Sequence, residues 1–238
     1  MAVRPSISVR LRTRAERLRR WEQLLNFFRG HQPPVWIFRG QRQHWALRPC
    51  IGRTEDYDAA RELQLFSEFR RLSRPMMQGS QALTDWDWLF VAQHHGLPTR
   101  LLDWTTNPLV AAYFACQPSP KGKRHGEIIA VRVDSVGLLT DAEMSRGPFG
   151  IRRAGFLYPS VVAPRIASQK GLFSIHPQPD QNWILRNKTD RFSIRAEDKN
   201  TFLSWLYGLG IDAAMIMADL DGLAANLSWR YTTGRAIQ

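Results

Sequence analysis

The nine residues that follow Asn107, PLVAAYFAC, carry no charge, and they narrow the folds open to this chain more than any other segment. Asn107 suits the N-cap of a helix and Pro108 its first position, where the missing N–H and fixed φ cost nothing. The preceding TRLLDWT is short and reads as extended, so a strand turns into an apolar helix between Thr105 and Asn107. Such a helix must be buried, which places this junction inside a core.

The rest of the chain alternates in the same way. Residues 11–28 place Leu18, Trp21, Leu24, Leu25 and Phe28 at spacings of three and four, the pattern of an amphipathic helix that HQPP then stops. VWIFRG at 35–40 reads as a short buried strand with Arg39 at its end. EDYDAARELQLFSEFRRLS predicts a helix with acids at its start and arginines near its end, and DWDWLFVAQHHG a shorter one ended by Gly96 and Pro98. EIIAVRV is a strand expected beside 35–40 or a neighbour. Residues 134–160 show weak periodicity and are expected to form an excursion over a site. SVVAPRIASQKGLFSIHP reads as two extended pieces around a polar turn, FSIRAEDKNTFLSWLYGLG as strand then helix, and IDAAMIMADLDGLAANLSWRY as strand then helix. The expected class is α/β (α+β). No repeat or Pro- or Ser-rich linker divides the chain, so we expect a basic helix over 1–30 leading into one domain over 31–238.

Composition sets limits on function. With 44% hydrophobic and 23% charged residues the chain has the balance of a folded globular protein. No apolar run approaches the roughly 20 residues that span a bilayer, so a cytoplasmic location with no membrane partner is expected. Seven arginines against one glutamate in residues 1–20 leave a mitochondrial presequence open, but the segment runs straight into an apolar periodic stretch and reads better as a surface helix. Cys50 and Cys116 offer neither a disulfide framework nor a cysteine zinc site, and both are expected to be reduced. The six histidines lack metal-ligand spacing, G-x-S-x-G is absent, and so are the P-loop and G-x-G-x-x-G, which argues against metal, serine-hydrolase, simple NTPase and Rossmann chemistry. The formal charge of +12 can attract nucleic acid, an anionic cofactor or a membrane surface, and charge alone does not choose.

Polar residues concentrate at the ends of the expected elements: Arg39 and Gln41, then Gln93 to Arg100, Asp103 to Asn107, and Arg165 with Gln169. Element ends are where rigid scaffolds present binding groups. A structural explanation competes: Arg100 pairs with Asp103 while Trp104 plugs the core, and on spacing alone it is the stronger of the two.

Four blocks shift the weighting. FRGQ at 38–41 with W-x-L-x-P at 45–49, QHHGLPTRLLDWTTNPLVAAYFAC at 93–116, PRIASQKGLFSIHP at 164–177 and LGIDAAMIMADLDGLA at 209–224 together resemble the FRG domain family, named for its Phe-Arg-Gly signature. The resemblance spans residues 35 to about 230, with MIMADLDG where the family more often has LFPDLDG. The FRG pattern in turn resembles, more distantly, the ADP-ribosyltransferase superfamily. That resemblance implies a split β-sheet flanked by helices, with NAD as substrate in the cleft. Arg39 then matches the first motif, DWTTNPLVAAYFA the second and RIASQKG the third.

On this resemblance Arg39, Gln41, Arg100, Thr105, Asn107 and Arg165 are expected to hold NAD, the arginines through charge-assisted bonds to its pyrophosphate. Trp104 and Tyr113 offer flat surfaces for the nicotinamide ring. Asp103, Gln169 and His95 are the expected catalytic groups. Gln169 occupies the place of the superfamily's glutamate, and an amide can bind a ribose hydroxyl but not act as a general base, so Asp103, or failing it Glu197, is expected to supply the acid. His94 is expected to cap its helix instead. The implied activity is transfer of ADP-ribose to nucleic acid or protein, in a toxin or anti-phage setting with a neutralising antitoxin as a further partner. Two alternatives stay open: a non-catalytic nucleic-acid or nucleotide-binding module, and a glycohydrolase that passes ADP-ribose to water.

Overall fold

A computed structural model describes residues 7–77, 83–133, 137–159, 168–186 and 188–236, with residues 7–11 known by their backbone alone. Six strands form one antiparallel sheet: β1 (Trp36–Gln41), β2 (Leu101–Thr105), β3 (Gly126–Arg132), β4 (Gly155–Leu157), β5 (Gly171–Ile175) and β6 (Thr189–Ile194), in the spatial order β4-β5-β2-β1-β3-β6. Eight α-helices accompany them among the described residues: α1 (Ile7–Gly30), α2 (Ala59–Ser73), α3 (Asp85–His94), α4 (Pro108–Cys116), α5 (Asp141–Met144), α6 (Lys199–Gly208), α7 (Ala213–Met217) and α8 (Leu220–Thr232). The chain is a single α+β domain.

The sheet is split at its centre. β1 and β3 pair along six residues, from Trp36↔Arg132 to Gln41↔Glu127, whereas β1 and β2 share only Phe38↔Thr105. The core on the helical face divides at the same seam. Over β1, β3 and β6 lie Leu24 and Phe28 of α1, Val110, Ala111 and Ala115 of α4, and Phe202 and Leu206 of α6. Over β2, β5 and β4 lie Phe66 of α2 and Trp86, Leu89 and Phe90 of α3, with Phe90 stacked on Phe173. The opposite face is continuous across the seam: Ile37, Ile129 and Val131 from one half meet Leu102, Trp104, Phe156 and Leu172 from the other, covered by Leu47 and Trp183 from irregular segments.

α4 follows the junction expected from sequence. Asn107 Oδ1 accepts from the Leu109 N–H, and Asn107 N donates to Thr105 Oγ1 at 2.9 Å, which fixes the turn out of β2. The helix lies against the sheet at two glycines: a Cβ on Gly40 would stand 1.9 Å from the Ala111 carbonyl oxygen, and one on Gly126 would stand 2.0 Å from that of Ala115. The basic helix α1 is bound to the same half, since Arg20 forks onto the buried Asp198 carboxylate at 2.5 and 2.7 Å.

Two expectations are corrected here. IDAAMIM is helical, not extended, because Asp212 caps α7 at the Met215 N–H; Ala218 then takes a left-handed φ of 53°, and Asp219 caps α8 at the Gly222 N–H. Residues 137–159 do not lie over the cleft described below; they supply α5 and the edge strand β4, drawn to the sheet by the apolar Phe156 and Leu157. Of the two extended pieces expected across 160–177, the second is β5 and the first lies outside the described residues.

Candidate functional site

Where β1 and β2 part, a cleft of about 310 Å³ opens, lined from one half by Phe38, Arg39, Val110 and Phe114 and from the other by Gln93, His94, Asp103 and Phe173, with Thr105 and Gln169 at the join. Strand alternation sets Arg39 on the face opposite Asp103, since Arg39 pairs with Ile129 and Asp103 with Phe173. The guanidinium reaches Asp103 through the gap. Arg39 Nη1 donates to the Asp103 carbonyl oxygen at 2.6 Å and stands 4.0 Å from its carboxylate. It thus satisfies a backbone acceptor in the stretch where β1 and β2 no longer pair, and the two strands are held apart by the cation between them.

That cation is short of anionic partners. Burial lowers the Arg39 pKa to about 10, with Asp103 only partly offsetting the loss of solvent, and Arg39 Nε is buried without a hydrogen-bond partner among the described residues. An arginine at that value is still charged at neutral pH, so an anion entering the cleft meets a desolvated guanidinium with bonding capacity to spare. Asp103 is oriented from the other side. Gln93 Nε2 donates to both carboxylate oxygens, at 3.0 and 3.1 Å, and the Thr99 hydroxyl donates to Gln93 Oε1 in turn. The Asp103 side chain nevertheless stays 59% exposed, open to a ligand.

Gln169 borders the join with its Nε2 donating to the Ile216 carbonyl at 2.9 Å, while its own carbonyl oxygen accepts from the Thr105 hydroxyl. Beneath the floor, Trp104 Nε1 donates to Ser174 Oγ, which lies 2.9 Å from His176 Nε2; burial and the Arg39 charge push His176 down to about 3, so it is neutral.

Several residues expected together are therefore separated. Arg39, Asp103, Thr105 and Gln169 meet in the cleft. Trp104 borders it, but its side chain is 2% exposed and packs edge-on to Phe156 and Trp183 on the far face. Arg100 is buried with Glu62, at 2.8 and 2.6 Å, and not with Asp103. Gln41 is buried beside Trp45 and Glu127, beyond the cleft. Tyr113 packs on the core under β1, and Phe114, four residues after Val110, is the aromatic of α4 that lines the cleft. His95 is the C-cap of α3 and exposed, while His94 lines the cleft, the reverse of the expected order. Asn107 is committed to its cap, Glu197 lies beside Arg195 and Arg17, and Arg165 falls outside the described residues. Gln93 and His94 fell in the polar stretch singled out from sequence but were not assigned to the site, and Phe38 and Phe114 were missed. Helical spacing carried a usable signal for two of them: His94 follows Phe90 by four, as Phe114 follows Val110.

Other chemistry finds less support. Cys116 is fully buried and its thiol is pushed up to about 12 by desolvation, while no three His, Cys, Asp or Glu side chains among the described residues are grouped to hold a metal. No described helix is long and apolar enough to cross a membrane.

Compared with known families, residues 34–124 match the model of the FRG domain, which takes in β1, α2, α3, β2 and α4 and hence most of the cleft wall. The blocks at 164–177 and 209–224 lie beyond the matched region. No curated protein and no solved structure matches the chain.

Proposed function

We propose that this chain, which carries an FRG domain over residues 34–124, is an ADP-ribosyltransferase that takes NAD into the cleft between β1 and β2 and transfers its ADP-ribose to a nucleic-acid or protein acceptor. The observation that carries this reading is Arg39: a buried, charged guanidinium with a free Nε, set in the mouth of a split sheet opposite an exposed carboxylate. Such a cation favours a phosphate-bearing ligand. The cleft volume lies at the lower end of the range for small-molecule sites, enough for the reacting end of a dinucleotide while the rest follows the open mouth.

In the reaction the bond between the ribose carbon and the nicotinamide nitrogen breaks, nicotinamide leaves neutral, and the acceptor adds to the ribose carbon and releases its proton. Oxocarbenium character develops on the ribose as that bond lengthens. In this reading Asp103, held by Gln93, stabilises that charge and takes the acceptor's proton. Phe38, Phe114 and Phe173 provide apolar walls for the ring, His94 a donor at the rim, and the Gln169 amide a partner for a ribose hydroxyl.

The test is nicotinamide release from NAD by the purified chain, alone and with single-stranded DNA, RNA or cell lysate, with each acceptor weighed by mass spectrometry. Release with a gain of one ADP-ribose on an acceptor is the expected result. Asp103→Asn keeps the shape and removes the charge, and should slow release by about 100-fold or more with an unchanged melting temperature. Release without any modified acceptor would make the chain a glycohydrolase, and NAD binding without release a nucleotide-binding module.

A further inference from the structure

Beyond the C-terminal end of β1 lies a second concavity, lined by Gln43, His44, Lys121, Arg124 and His125. It shares no lining residue with the cleft, and every side chain in it can donate a hydrogen bond. The two loops that form it are fastened together. The buried Lys199 ammonium donates to the carbonyls of Arg42 and Gln117, one on each loop, and the Ser119 hydroxyl donates to Gln43 Oε1.

Both imidazoles are also oriented. His125 Nδ1 accepts from the Ala196 N–H at 3.0 Å, which leaves its Nε2–H to donate to a ligand, whereas His44 Nδ1 donates to the buried Glu127 carboxylate at 3.1 Å and its Nε2 donates only when the ring is protonated. The Glu127 carboxylate behind His44 does not line the pocket, and it is already engaged by Arg191 at 3.0 Å and by Gln41 as well as by His44. Lys121, Lys123 and Arg124 stay exposed above it. Beside the pocket the exposed Arg42 guanidinium lies over the half-buried Trp45 ring, 5.9 Å from its centroid.

We propose that this pocket seats a backbone phosphate of a single-stranded nucleic acid, with Arg42 and Trp45 as a stacking surface for the adjoining base. Donors converging where no carboxylate lines the pocket, Glu127 behind His44 being held by Arg191 and Gln41, suit a phosphodiester, and a basic groove with an aromatic beside it is how unpaired strands are held without sequence preference. Three residues separate Arg39 from Gln43 and the chain bends after Gln41, so the two lie at most about 13 Å apart at strand rise, and a strand anchored here has its next nucleotides within reach of the cleft. That last step rests on the reading of the cleft as the reacting site; the phosphate contact does not. A single strand is favoured over a duplex because a nucleotide inside a stacked duplex cannot enter a cleft of this size.

The experiment is fluorescence anisotropy of labelled oligothymidylate and oligouridylate with the whole chain, without NAD, across a salt series. Lys121→Ala with Arg124→Ala should weaken binding about tenfold at physiological salt and lower the salt slope by about 0.7, the loss of the one single-strand phosphate contact the pocket makes. Arg61→Ala with Arg71→Ala, an equal charge change on the distant α2, should stay within about twofold. The proposal is overturned if both pairs weaken binding equally, if the first pair changes nothing, or if inorganic phosphate and mononucleotides bind as tightly as the oligomer. Because NAD is absent, oligonucleotide binding that survives alongside a failure to release nicotinamide would remove the transferase reading and leave this site standing.

Discussion

Gly40→Ala is expected to destabilise the chain by about 3 kcal/mol and to lower its melting temperature by about 10 °C. The added Cβ would fall 1.9 Å from the Ala111 carbonyl oxygen, 2.8 Å from its carbon and 2.9 Å from the Ala115 nitrogen, all backbone atoms of α4 that have no rotamer to change. The helix would have to lift from β1 as a body, opening the core beneath Val110, Ala111 and Ala115. Gly126→Ala should behave alike, since its Cβ meets the next turn of the same helix. Gly30→Ala is the control: it ends α1, meets nothing within 4 Å, and should be neutral or stabilising by a few tenths of a kcal/mol. Urea midpoints for the three variants decide the matter; a Gly40 variant as stable as the Gly30 one would mean that α4 does not rest on β1 as described. The glycine of the Phe-Arg-Gly signature is on this argument a packing residue, and the arginine beside it points to the other face.

The same alternation explains what the sequence allowed one to read. Elements with a strong local signal were legible: the strand that carries Arg39, though it runs on to Gln41, the Asn107–Pro108 helix start, the capped helices and their order. IDAAMIM was not, because its run of apolar residues has the same look in a buried strand and a one-turn helix, and the caps at Asp212 and Asp219 that decide between them are local hydrogen bonds. The site was legible in its segments but not in its side chains. Within β2, moving one residue along exchanges the cleft for the core, and so Asp103 and Trp104, neighbours in a polar-looking motif, part company. The split itself, one pair between β1 and β2 against six between β1 and β3, is a matter of how far two strands diverge, and no residue pattern encodes that directly.

Arg39 and Arg100 show the limit most clearly, and they carry the second prediction. Arg39 lies within β1 and Arg100 just before β2, both were assigned to the same anionic ligand, and their substitution should have opposite signatures. Arg100 is closed in: Nε and Nη2 fork onto Glu62 at 2.8 and 2.6 Å, both side chains are about 5% exposed, Tyr57 donates to the same carboxylate at 2.6 Å, and the guanidinium lies 4.7 Å from the Phe149 ring centroid. Arg100→Met leaves a buried carboxylate without its cation and should cost about 3–5 kcal/mol. Adding Glu62→Leu removes the stranded charge, so the double variant should be more stable than either single one, a non-additivity that a mere loss of packing would not produce. Arg39→Ala gives up one hydrogen bond to the Asp103 carbonyl and should cost only about 1–2 kcal/mol, because the cleft admits water to the group left behind. Its loss should appear in nicotinamide release, by about 100-fold or more, with the folded fraction at assay temperature unchanged. If instead Arg39→Ala unfolds the chain and Arg100→Met abolishes release in a protein that still melts normally, the buried pair is the ligand site and the split between β1 and β2 is only a seam.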